Sequence, residues 1–120
     1  MKTALSSNFK GYLLFVLNAH LPYIRYPEHE YHLEENWLYE AVTETYIPLL
    51  NIFNNFLNDN VDFRITISLT PTLIEMLNDG LLRERYERYI SNLIELSEKE
   101  IARTRRNIRF NDIARMYNRN

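Results

Sequence analysis

Asn18 and His20 stand two residues apart at the end of an apolar run, and Arg25, Glu28, His29, Glu30 and His32 crowd in just behind them. Imidazole can donate or accept a hydrogen bond, and a carboxamide does both at once. Such groups at the end of a strand suit a polar ligand with many hydroxyls, such as a sugar. Trp37 and the tyrosines 23, 26, 31 and 39 could stack on the apolar face of a sugar ring. His29 and His32, with Glu28 and Glu30, raise a metal reading. The zinc-protease pattern His-Glu-x-x-His is absent, however, and a loop would not fix the ligand geometry. A solvated polar loop accounts for these residues better, and neither metal nor cofactor is expected.

The elements that must position these residues follow from periodicity. Residues 12–17 (YLLFVL) are continuously apolar, as in a parallel strand covered on both faces. Val16, Asn18 and His20 share parity, so a strand continuing to His20 points all three to one face. Residues 18–35 form a polar loop with Pro22 and Pro27. Residues 36–58 carry apolar side chains at helical spacing, with Asn36 as candidate cap and Pro48 as a kink or restart. "DFRITISLT" alternates strictly, which places Arg64, Thr66, Ser68 and Thr70 in one polar row. Thr70-Pro71 ends that strand and opens a helix over residues 71–78. Asn78-Asp79-Gly80 breaks it, a second helix spans 81–104, and a last short one covers 109–117. Strands alternating with helices imply an α/β class with parallel pairing. Two strands are too few to stand alone.

Composition narrows the class. The 120 residues are 46% hydrophobic, 13% aromatic and 25% charged, an ordinary globular balance. There is no cysteine, so disulfides and thiolate metal sites are excluded and a reducing cytoplasm is the expected location. A net charge of −2 predicts no strong attraction to nucleic acid or to an anionic membrane. The arginines at 103, 105, 106, 109, 115 and 119 read as a solvated helical face, balanced by glutamates before them. Lys2 and Lys10 precede the apolar run, but six residues fall short of the roughly 7–15 of a signal core and of a membrane span. Residues 1–10 read as a loose polar start.

Three stretches taken together, "VLNAHLPYIRYPE", "WLYEAVTETYIPLL" and "DFRITISLTPTLIEML", resemble the amino-terminal part of glycoside hydrolase family 57. The resemblance is strongest to its 1,4-alpha-glucan branching enzyme subgroup and runs roughly from Gly11 to Tyr117. It implies that residues 11–120 are the amino-terminal fragment of a catalytic barrel. That fragment holds the first two strand-helix units of an incomplete (β/α)7 barrel, with a helical insertion after the second strand. The family mechanism is retaining, with a glutamate nucleophile and an aspartate acid-base, a pair that sits roughly 5–5.5 Å apart. Both lie on later barrel strands, so the chain alone is expected to be inactive. By resemblance, His20 matches the second histidine of the strand-one motif and lies near substrate. Asn18 stands where the family has the first histidine; it keeps hydrogen bonding but cannot become a cation. Trp37 and Glu40 match the helix motif, and Thr70 with Pro71 matches the end of the second strand. The implied partner is an alpha-glucan, with association through exposed barrel strands.

Two alternatives remain open. One is a small non-catalytic module that holds glucan or another partner through Asn18, His20 and aromatics. The other is an enzyme built on local carboxylates such as Glu28, Glu30, Glu34, Glu35 and Glu40. Glu34 and Glu35 point to different faces of any helix and make a poor acid-base couple.

Overall fold

The structure is a computed structural model that describes residues 10–119. Apart from Lys10, the loose start expected over residues 1–10 lies outside the described residues. The chain alternates strand and helix before ending in three helices. Strand β1 spans Val16–Ala19 and helix α1 spans Glu35–Ala41. A π-helical segment Val42–Tyr46 joins α1 to α2, Ile47–Asn58. Strand β2 (Thr66–Leu69) precedes α3 (Pro71–Asn78), α4 (Gly80–Arg103) and α5 (Ile108–Arg119).

The two strands pair in parallel, with Val16 opposite Thr66, Leu17 opposite Ile67, Asn18 opposite Ser68 and Ala19 opposite Leu69. Further backbone bonds from the Thr66 amide to Phe15 O and from the Thr70 amide to Ala19 O close the two ends. The first strand therefore lies later than the apolar run over 12–17 suggests. Hydrophobicity marks a segment that is able to be buried, whereas the ladder is set by where β2 runs alongside. The strand also stops at Ala19 rather than continuing to His20.

The crossover helix begins at Glu35, and Asn36 does not cap it. The Asn36 amide donates instead to the Tyr31 phenol, 2.9 Å away. Pro48 makes its mark four residues upstream. A proline at 48 has no N–H for the carbonyl of Glu44 and would crowd it. The helix widens there, and the Ile47 amide bonds Val42 O, five residues back. Helix α2 restarts with Pro48 in its first turn, where the missing donor is no loss. It ends in a Schellman motif. Asn60 takes a left-handed φ of 54°, and the Val61 amide reaches Phe56 O at 2.8 Å.

Thr70 and Asp79 punctuate the second half as the sequence suggests. Thr70 Oγ1 accepts from the Leu73 amide, with Pro71 in the first turn of α3. Asp79 ends α3 and caps α4 through the Leu82 amide. Its other carboxylate oxygen pairs with Arg25 at 2.6 Å. The Leu82 amide holds the Asp79 carboxyl below its ordinary range, Arg25 lowers it further, and burial partly offsets both.

The core does not lie on the sheet. Ile24, Leu38, Tyr39, Leu73, Met76 and Leu82 form it, from the first loop, α1, α3 and α4. The strand region stays open, with Leu14 72% and Leu69 54% exposed. The radius of gyration is 20.4 Å, where a compact domain of this length would have about 13–14 Å. Among the described residues no helix is long and apolar enough to cross a membrane.

Candidate functional site

The register brings the two polar rows together at the carboxyl ends of the strands. Asn18 and Ser68 are direct cross-strand neighbours, and Ser68 Oγ donates to Asn18 Oδ1 at 2.6 Å. That bond fixes the carboxamide orientation and leaves Asn18 Nδ2 as an outward donor. His20 follows one residue beyond β1 and is exposed. Thr72 Oγ1 donates to Leu21 O at 3.4 Å and lies 3.1 Å from Thr70 Oγ1, so the segments leaving the two strands are joined. Thr70 is half-buried and its hydroxyl is committed first to the α3 cap. Open α/β sheets and barrels bind ligands at this kind of strand-end cluster.

Trp37 and Glu40 lie on α1, on the far side of the loop, and both are exposed, Trp37 at 52%. Neither hydrogen-bonds a strand-end residue. Glu40 instead faces α4, where its charge adds to the burial that raises the Tyr89 phenol. Tyr39 is a correction to the set of stacking aromatics. It is buried in the core and its hydroxyl donates to Glu35 Oε2 at 3.0 Å. Tyr26 stacks on His32 with ring centroids 3.6 Å apart, so its face is covered within the loop. His32 also pairs with Glu34 at 2.5 Å.

Sequence reasoning missed Arg85. It stands among Arg83, Glu84, Glu87 and Arg88 in the sequence, yet it is 7% exposed. Its guanidinium pairs with Glu35 Oε1 at 2.5 Å and donates to the carbonyls of Tyr26 and His29. Glu35 itself is 2% exposed. The signal was present: Arg85 falls on the same stripe as Leu82, Tyr86 and Tyr89. One helix thus pins the loop that leaves β1. Two further ties act on its near end, Arg25 to Asp79 and the Ile24 amide to Met76 Sδ at 3.2 Å. A fixed loop keeps the strand-end groups in place.

Burial, and then the bond to Glu35, push the Tyr39 phenol well above its ordinary value. Below about pH 10 both folded and unfolded chains keep this proton. Above it the unfolded chain ionises first, so stability falls as pH rises. Tyr46 and Tyr89 shift the same way through burial. Tyr39→Phe is expected to remove its share of this alkaline loss, and to cost about 0.5–1.5 kcal/mol at neutral pH for the lost bond. Urea titrations at pH 7 and pH 10.5, conditions on the order of half a unit past the ordinary tyrosine pKa, check both.

The family model of glycosyl hydrolase family 57 matches residues 14–113. The chain is 39% identical over 92 residues to 1,4-alpha-glucan branching enzyme TK1436 of Thermococcus kodakarensis, covering 77% of this chain and 14% of that protein. It is 27% identical over 100 residues to a Mycobacterium tuberculosis protein named probable 1,4-alpha-glucan branching enzyme MT3115, covering 83% and 19%. Its fold is similar to the crystal structure of the alpha-amylase AmyC from Thermotoga maritima. There the TM-score is 0.79 and the identity 48%, over 88% of this chain and 20% of that one. The chain therefore spans a fifth or less of the length of each. With the family model covering nearly all of the described residues, the chain belongs to glycosyl hydrolase family 57.

Proposed function

We propose that this chain forms one wall of an alpha-glucan site in a retaining enzyme of the 1,4-alpha-glucan branching type. The observation that carries the reading is the Ser68–Asn18 hydrogen bond, at 2.6 Å, beside exposed His20 at the ends of two parallel strands. Asn18 Nδ2 and the His20 ring hold glucan hydroxyls, Thr70 sets the exit of β2, and Trp37 and Glu40 extend the wall along α1. The nucleophile and the acid-base carboxylate come from chain beyond these residues. The exposed apolar side chains of the strand region support this, because further barrel elements would cover them. In this reading β1 and β2 with their helices are the first two units of an incomplete (β/α)7 barrel. The helices α3 to α5 contain its insertion. The absence of cysteine is compatible with the cytoplasm as its location.

Hydrolysis is the second reading, favoured by the 48% identity to a structure named as an alpha-amylase. A chimera tests the site itself. The segment of this chain that aligns with the Thermococcus kodakarensis enzyme replaces its counterpart there, and the chimera acts on amylose. In this reading the host supplies the catalytic carboxylates, so the readout is the rate and not the kind of product. His20→Ala in the chimera is expected to lower turnover by about 100-fold, the scale of a misplaced substrate. A folded chimera whose rate is unchanged by His20→Ala would overturn the site.

A further inference from the structure

A depression of about 280 Å³ opens between α1 and α4 and shares no residue with the strand-end cluster. Its floor is the Glu35–Arg85–Tyr39 group, whose charges and hydrogen bonds are satisfied internally. Tyr31 and Tyr89 contribute its aromatic walls. Tyr31 is 66% exposed, and its hydroxyl is held by the Asn36 amide. Tyr89 packs on Tyr39 with ring centroids 5.1 Å apart, which fixes its plane. The rim carries Glu30, Arg88 and Asn92, all exposed. Among the described residues these three side chains enter no hydrogen bond or ion pair. Arg88 and Asn92 are four apart on α4 and therefore share a face.

This combination has a ligand chemistry. A pyranose ring presents an apolar C–H face and an equatorial fringe of hydroxyls. Aromatic rings take the face, and planar polar side chains take the fringe in pairs. The charges also discriminate. Arg85 is neutralised by Glu35, and Glu30 offsets Arg88, so the depression favours a neutral ligand over a phosphate or a cation. Its size is near the lower end of small-molecule sites, which suits one or two sugar units.

We propose that this depression is a second glucan-holding site, which takes one or two glucosyl units of a 1,4-linked chain. It rests on the alpha-glucan reading above for the identity of the sugar. It would anchor a chain away from the strand ends, so that a long glucan is held at two places.

The test is a maltoheptaose titration of the full chain, followed by NMR. Two groups of shifts are expected, one at Asn18, His20 and Ser68, the other at the Tyr31 and Tyr89 rings and the Arg88 and Asn92 side chains. Tyr31→Ala is expected to weaken the second group about tenfold, the loss of one stacked ring, and to leave the first unchanged. Asn92→Ala provides a parallel variant on α4, away from the loop. Shifts confined to the strand ends would overturn this site while leaving the proposed function standing. Shifts confined to Tyr31 and Tyr89 would support this site and overturn the strand-end site. A second group unchanged in both variants, or no shifts at all, would overturn the inference.

Discussion

Arg85→Met is expected to destabilise the chain by about 3–5 kcal/mol, the cost of leaving a buried carboxylate without its cation. Glu35 would keep only the Tyr39 hydroxyl, and the Tyr26 and His29 carbonyls would lose their donor. Native domains have roughly 5–15 kcal/mol in total, so the loss takes a large share. Methionine retains most of the side-chain length, which separates the charge from the packing. In urea the midpoint should fall by about 1 M or more. Arg85→Met with Glu35→Gln should recover a substantial part, because no buried charge is then left unpaired. If Arg85→Met alone melts like the parent, Arg85 does not pin the loop that follows β1.

Leu73→Ala is the second large effect, at about 2–5 kcal/mol. Leu73 is fully buried, and the core contains few comparable side chains. Its neighbours come from the loop, α1 and α4, which cannot all collapse into the space. A shift of about 4–8 °C per kcal/mol translates this into a Tm fall of about 10 °C or more. Leu14→Ala is the matching control. Leu14 is exposed, so its loss should stay within about 0.5 kcal/mol. Equal losses at Leu73 and Leu14 would mean that the strand region is buried in solution.

Local chemistry was legible in the residues. Thr70-Pro71 and Asn78-Asp79-Gly80 specify their caps and break through side chains only a few positions away. The alternation of "DFRITISLT" identified the polar row that Ser68 belongs to. What escaped depends on distance along the chain. The bounds of β1 follow from pairing with a strand fifty residues on, not from the apolar run itself. The Asn18–Ser68 bond needs that register before it can be seen. Arg85 looked like one more surface charge because its partners, Glu35, Tyr26 and His29, lie 50–59 residues upstream. Tyr39 looked like a stacking ring because composition cannot say which aromatic faces the core.

The proposed function puts an alpha-glucan at the strand ends. Calorimetric titration of maltoheptaose tests this most directly, in a Tyr31→Ala background so that the α1–α4 depression contributes little. The account predicts binding by this variant, weakened about tenfold or more when His20→Ala is added, the loss of one well-made hydrogen bond. Equal affinity with and without His20, or no binding in either, would contradict it.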